Sequence, residues 1–169
     1  MHDDTDEVDG LVAAWGRERP DLVLDPMGIW SRVKRLEQYL DSARRQAYAE
    51  HDLEVWEFDV LAALRRAGEP YRLSAGQLVR ETHVTSGTMT NRVSRLAERG
   101  LVERSSDPDD GRGVLVQLTG TGRQSVDAAL VSLLAAEEAL LEGLPEETRQ
   151  RLADDLRALL QRQATDASA

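Results

Sequence analysis

Residues 74–118 read SAGQLVRETHVTSGTMTNRVSRLAERGLVERSSDPDDGRGVLVQL, and this stretch decides the fold. Ser74-Ala75-Gly76-Gln77 has the form of a capping box, with Ser74 as N-cap and Gln77 reaching back. Leu78 anchors the short helix that follows, and His83-Val84 breaks it. A second helix starts near Thr85-Ser86. It sets Met89, Val93 and Leu96 on one face, one turn apart, and leaves Thr88, Asn91, Arg92, Arg95 and Arg99 on the others. Gly100 stops it where a left-handed residue is wanted. Leu101–Arg104 and Val114–Leu118 then read as strands. Between them, residues 107–113 (DPDDGRG) have the composition of a hairpin loop.

Two short helices followed by a β-hairpin are a helix-turn-helix with a wing. The second helix offers short hydroxyl and amide side chains at its N-terminal end, which can approach base edges closely. Arginines follow one and two turns later, spaced for phosphate or guanine. Arg112 at the hairpin tip can reach a neighbouring groove.

The chain has 169 residues and a net charge of −10, which at first argues against nucleic acid. The distribution reverses that reading. Arg72–Arg104 holds six arginines against three acids, net +3, whereas residues 1–29 carry −6 and residues 124–169 carry −5. An acidic body repels DNA everywhere except at the helix-turn-helix. The absence of cysteine excludes thiolate catalysis and Cys-bound zinc. No apolar run approaches the ~20 residues of a membrane span. The acidic N-terminus is the opposite of a signal-peptide start. The expectation is a cytoplasmic protein without a membrane partner.

Outward from the wing, the chain is helical. Val8, Leu11, Val12 and Trp15 have helical spacing, in a short helix that Pro20 ends. Asp25-Pro26 starts a long helix, with Asp25 as N-cap, running to about Glu50. Its Ile29, Val33, Leu36, Leu40, Ala43 and Ala47 form a packing seam. Arg32, Arg35 and Arg44 on the opposite face read as solvated. Leu53–Ala67 is the next helix, with Trp56, Val60, Leu61 and Leu64 inward and Asp59 set among apolar neighbours. Tyr71-Arg72-Leu73 is a candidate third strand of the wing sheet. Thr119–Gly122 reads as a turn opening a long helix with Val126, Leu130, Leu133, Leu134, Leu140 and Leu141 as its stripe. Pro145 starts a last helix carrying Leu152, Leu156, Leu159 and Leu160. The predicted architecture is mainly α with a small β-wing: N-terminal helices (1–50, ligand arm and dimerisation), a DNA-binding lobe (51–118), C-terminal dimerisation helices (119–163) and a disordered tail (164–169).

Enzyme motifs are missing. His2, His51 and His83 are too scattered for a metal motif, and Gly120-Thr121-Gly122 lacks the rest of a nucleotide fingerprint. No cofactor and no catalytic residue is expected.

The Leu73–Leu78 segment, Thr85–Leu96, Gly100–Arg104, Asp107–Asp110 with Arg112, and Leu118-Thr119 closely resemble the MarR family. The resemblance covers about residues 55–123. It implies a homodimeric winged-helix repressor whose terminal helices interlock and whose recognition helices enter successive major grooves of a palindromic double-stranded operator. By that resemblance Ser86, Thr88, Asn91 and Arg95 contact DNA, with Ser74, Thr85 and Thr90 beside them, and Arg112 reaches the minor groove. Many members have two adjacent arginines at the wing, where this chain has Gly111-Arg112.

The N-terminal helix with Trp15, the Glu57-Phe58-Asp59 run and Asn91-Arg92 look like the urate-responsive branch. In that branch the corresponding Trp, Asp and Arg line an effector pocket, here Trp15, Asp59 and Arg92. An indole can stack on a planar heterocycle, and a guanidinium fork can take its anionic oxygen. The implied effector is urate or a similar planar anion. The rival expectations are a regulator answering another aromatic ligand, or a winged-helix adaptor that binds proteins.

Overall fold

The computed structural model describes residues 5–107 and 113–166. Ten elements follow in order. They are α1 (Glu7–Glu18), α2 (Asp25–Ala49), α3 (Val55–Arg66), β1 (Arg72–Ser74), α4 (Ala75–Thr82), α5 (Ser86–Glu98), β2 (Val102–Ser106), β3 (Val114–Leu118), α6 (Gly120–Leu140) and α7 (Glu146–Asp166). Helices dominate, and the strands form one antiparallel sheet in the order β1-β3-β2. The expected third strand is therefore present. It pairs Leu73 with Val116, while Arg104 on β2 faces Val116 from the other side.

The helix-turn-helix forms for local reasons. Ser74 accepts from the Gln77 backbone N–H while the Gln77 side chain accepts from the Ser74 N–H, so two orphan donors are satisfied at once. His83 ends α4 in the left-handed region, at φ 52°. Thr85 caps α5 by accepting from Thr88 N–H. Gly100, at φ 70°, turns the chain out of α5 into β2.

The core lies between α3, α4, α5, the sheet and one face of α6. Leu61, Leu64, Leu78, Met89, Leu96 and Val116 are fully buried there. Tyr48 of α2 stacks on Phe58 of α3, with ring centroids 4.2 Å apart. Gly122 explains itself by contact. A Cβ at this position would stand 2.0 Å from the Leu101 carbonyl oxygen, so only glycine lets α6 leave the base of the wing here.

Several expectations need correction. The N-cap of α2 is Leu24, and Asp25 already lies in the first helical turn. Residues 120–122 are the first turn of α6, capped by Thr119, and not a preceding turn. Helix α7 continues to Asp166, past the expected start of a disordered tail, and residues 167–169 lie outside the described residues.

The arginines of α2 are not simply solvated. Arg32 holds Asp6 and Asp9 at 2.8 Å each, Arg35 pairs with Glu7, and Arg44 reaches Glu137 on α6 at 2.8 Å. Carboxylates at positions 6, 7 and 9 meet arginines three positions apart on the next helix. The first two therefore fasten α1 onto α2, where Val8 is the one buried residue of α1.

Candidate nucleic-acid interface

Burying Met89, Val93 and Leu96 fixes the rotation of α5 and so decides what it shows outside. Ser86, Thr88, Thr90, Asn91 and Arg95 are all exposed. The hydroxyls of Thr85 and Thr88 lie 2.9 Å apart, and the Thr90 hydroxyl donates to the Ser86 carbonyl. Ser74 is half-buried, and its hydroxyl is engaged in capping α4. Arg112 lies outside the described residues. The structure exposes Thr85, Ser86, Thr88, Thr90, Asn91 and Arg95, with Thr88, Asn91 and Arg95 on one face of α5 and Ser86 and Thr90 on another face of the same helix. Its length, thirteen residues at ~1.5 Å rise each, is of the size that fits a major groove.

The foot of this surface carries charge pairs that were not anticipated. Glu57 is 1% exposed, although it is charged. Its carboxylate accepts from Arg99 at 2.6 Å and from its neighbour's backbone, the Glu54 N–H, at 2.9 Å. Arg99 also donates to the carbonyl and the carboxylate of Asp52, at 2.6 and 2.7 Å. The C-terminal end of α5 is thereby locked to the start of α3. A buried carboxylate left alone would cost several kcal/mol, so the pairing is obligatory for the packing seen.

Trp56 packs against the core with one face, as its inward position implies, and leaves the other open. It is half-buried beside α5, with the Arg95 guanidinium 4.7 Å and the Arg92 guanidinium 5.5 Å from its ring centroid. Its indole N–H donates to Glu54 at 2.6 Å, and Arg95 donates to the other oxygen of Glu54 at 3.0 Å. Trp56, Thr88, Asn91, Arg92 and Arg95 line an open cleft of about 440 Å³. Periodicity could not find this, because position 56 falls on the boundary of the apolar stripe of α3. The arginines at one-turn spacing were the available signal.

Asp59 sits on α3 with three arginines around it. Arg92, Arg44 and Arg66 all act to lower its pKa, yet partial burial outweighs them and holds the carboxyl above the ordinary aspartate value. Its side is open to solvent, and it forms no hydrogen bond to any of the three. Burial similarly pushes the neighbouring Tyr48 phenol up. Asp59 and Arg92 are therefore within electrostatic reach of one another.

Trp15 does not join them within one protomer. The first turn of α1 is tied to Arg32 and Arg35, and Gly16 stands 3.7 Å from Leu24 at the start of α2. Arg44, near Asp59, lies about 30 Å further along α2 at ~1.5 Å per residue. Trp15 is 46% exposed at the far end. Among the described residues no His, Asp or Glu cluster could hold a metal ion, and no helix is long and apolar enough to cross a membrane.

Comparison with known proteins agrees with this geometry. Residues 51–113 match the MarR family. The chain is 34% identical over 156 residues to the HTH-type transcriptional regulator PecS of Dickeya dadantii, covering 92% of each chain. Among solved structures, Bordetella bronchiseptica BpsR, described with its regulation by 6-hydroxynicotinic acid, is 28% identical. It aligns with a TM-score of 0.65 over 78% of this chain and 91% of its own. A mutant MarR from E. coli complexed with operator DNA shares the fold at a TM-score of 0.68, with 24% identity over 82% of this chain and 99% of that one. Curated relatives are named as transcriptional regulators or repressors and not as enzymes. With the helix-turn-helix, the sheet order and a full-length relative in agreement, this chain belongs to the MarR family of winged-helix transcriptional regulators.

Proposed function

We propose that the chain is a homodimeric repressor that binds a palindromic operator through α5 and is released by a planar anion such as urate. The observation that carries the DNA half is the exposed row Ser86, Thr88, Thr90, Asn91 and Arg95 in the one basic segment of an acidic chain. Hydroxyls and an amide at the leading end read base edges, and arginine follows for phosphate or guanine. Ser74 and Thr85 flank the contact, and Arg112 is the arginine that the family resemblance assigns to the minor groove.

Dimerisation is supported by unsatisfied apolar surface. Ile29, Trp30 and Leu36 on α2, Leu134 on α6, and Leu152, Leu156 and Leu160 on α7 are all exposed. A second copy covers such a surface isologously, and two α5 helices then read two half-sites.

The effector half rests on Asp59 among Arg44, Arg66 and Arg92. An anion entering there meets excess positive charge. Arg92 lies on α5, so engaging it re-aims the recognition helix, and the ligand selects a state that DNA does not. Trp15 stacks on the heterocycle from the second copy, because its own protomer holds it apart. A different aromatic effector is the second reading, favoured by the 6-hydroxynicotinic acid named for BpsR.

The test is binding of the purified protein to the DNA upstream of its own gene, titrated with urate and with 6-hydroxynicotinic acid at fixed salt. Tight binding weakened by urate supports the proposal. Weakening by 6-hydroxynicotinic acid alone transfers the effector. Absence of salt-sensitive binding to that DNA or to generic duplex overturns the DNA half and favours a protein-binding adaptor.

A further inference from the structure

Arg95 is not free in the DNA-unbound protein. Its guanidinium lies over Trp56 and donates to Glu54, and Trp56 donates to the same carboxylate. Three groups thus close a ring around the arginine that stands at the DNA face. Glu54 is held below the ordinary carboxylate range, chiefly by the indole N–H. It is therefore ionised wherever DNA is bound, and a phosphate must displace it to take Arg95. Arg92 shares the same indole.

We propose that Glu54 and Trp56 are positioning residues for DNA binding: they seat Arg95 in the unbound state, and Trp56 links its position to that of Arg92. This rests on the DNA-binding reading above. The physical logic is competition. An exposed carboxylate–guanidinium pair is weak, because water screens it. Breaking it to form a phosphate contact weakens DNA binding by roughly two- to fivefold. In return the arginine stays ordered and loses less side-chain freedom on binding. The shared indole adds the coupling. A guanidinium over an aromatic face is attracted by the ring quadrupole, and two guanidiniums over one ring repel each other. Displacing Arg92 therefore changes how firmly Arg95 is held. A side chain on the effector arginine is joined to a side chain on the DNA arginine by one ring, with no backbone movement required.

The full-length protein and a fluorescent duplex from its own upstream region suffice for the test, read by anisotropy over a salt series. Glu54→Gln should tighten binding two- to fivefold in the parent and leave it unchanged when Arg95→Ala is also present. An equal gain in both backgrounds marks general charge repulsion by Glu54 and overturns the seat. Arg92→Ala and Arg95→Ala should be non-additive when Trp56 is present and additive in Trp56→Leu. Additivity in both overturns the coupling. Trp56→Phe keeps an aromatic face and leaves the Glu54 carboxylate in place, so it should retain the non-additivity, and its loss overturns the coupling through the ring. Matching circular dichroism and melting curves exclude unfolding as the cause. Loss of all salt-sensitive DNA binding by the parent protein overturns the DNA reading and this proposal together. Additive cycles with DNA binding intact overturn this proposal alone.

Discussion

Helices α3 and α7 make opposite bargains with solvent. Over twelve residues α3 buries seven, Glu57 among them. Over twenty-one residues, α7 buries none of its described side chains, and Leu152, Leu156 and Leu160 remain exposed. Both carry apolar stripes at helical spacing. Amphipathicity therefore says that a helix will pack, and not against what. The lobe of α3, α4, α5 and the sheet closes on itself, whereas α7 and the N-terminal half of α2 present exposed apolar surface.

The sharpest way to break this contrast is a pair of truncations. Leu61→Ala removes a fully buried side chain and should lower unfolding stability by about 3 kcal/mol, measured by urea denaturation. Leu156→Ala should leave the lobe nearly untouched and instead weaken self-association, seen as a dissociation that depends on protein concentration in sedimentation. A loss as large as that of Leu61→Ala in the dissociated protein would show that α7 belongs to the core of one protomer.

Next in size is the close approach at the base of the wing. Gly122→Ala forces a methyl against the Leu101 carbonyl and should cost about 3 kcal/mol, with the shift concentrated in amides of β2 and α6 by NMR. Arg99→Ala strands the Glu57 carboxylate. Because Arg99 is partly open to water, the loss should be nearer 2 kcal/mol than the figure for a fully buried pair. Glu57→Gln in the same chain should restore part of it.

The two regions should also separate by pH. Arg32 beside Asp6 holds that carboxyl below its ordinary value. The folded group thus binds its proton less readily than the unfolded one, and the stability it gives α1 is present above the ordinary aspartate pKa. That stability is lost as pH falls through the depressed folded value. Hydrogen exchange in α1 should rise across that window while α3 stays protected. Asp59 has the opposite sign. Its raised pKa means that ionisation in the folded state costs stability as pH rises above the ordinary aspartate value. Asp59→Asn should give a small gain at neutral pH that vanishes in acid, the smallest effect of the set.

Much of this was legible from residues 74–118, because caps, breaks and apolar spacing there are all local. Ser74, Thr85 and Gly100 do what their types require, and Val114–Leu118 is a strand where alternation and β-branching place it. The site was only partly legible. Asp59 and Arg92 lie within electrostatic reach of each other. The docking of α1, which carries Trp15, is set by carboxylates meeting Arg32 and Arg35, a pairing between helices that spacing within either one does not encode. Only one face of Trp56 was legible: a tryptophan at the margin of a stripe is apolar enough to pack against the core and flat enough for two arginines.

The ionic fastening of α1 bears on how the protein is shortened or tagged. Residues 1–9 contain five acids, three of which neutralise Arg32 and Arg35. Removing them bares two guanidiniums on a face that is otherwise balanced, and a cationic tag fused there competes for the same carboxylates. A trimmed protein would carry a second basic surface far from α5 and would bind DNA of any sequence more readily. Specificity measured on it would understate that of the full chain.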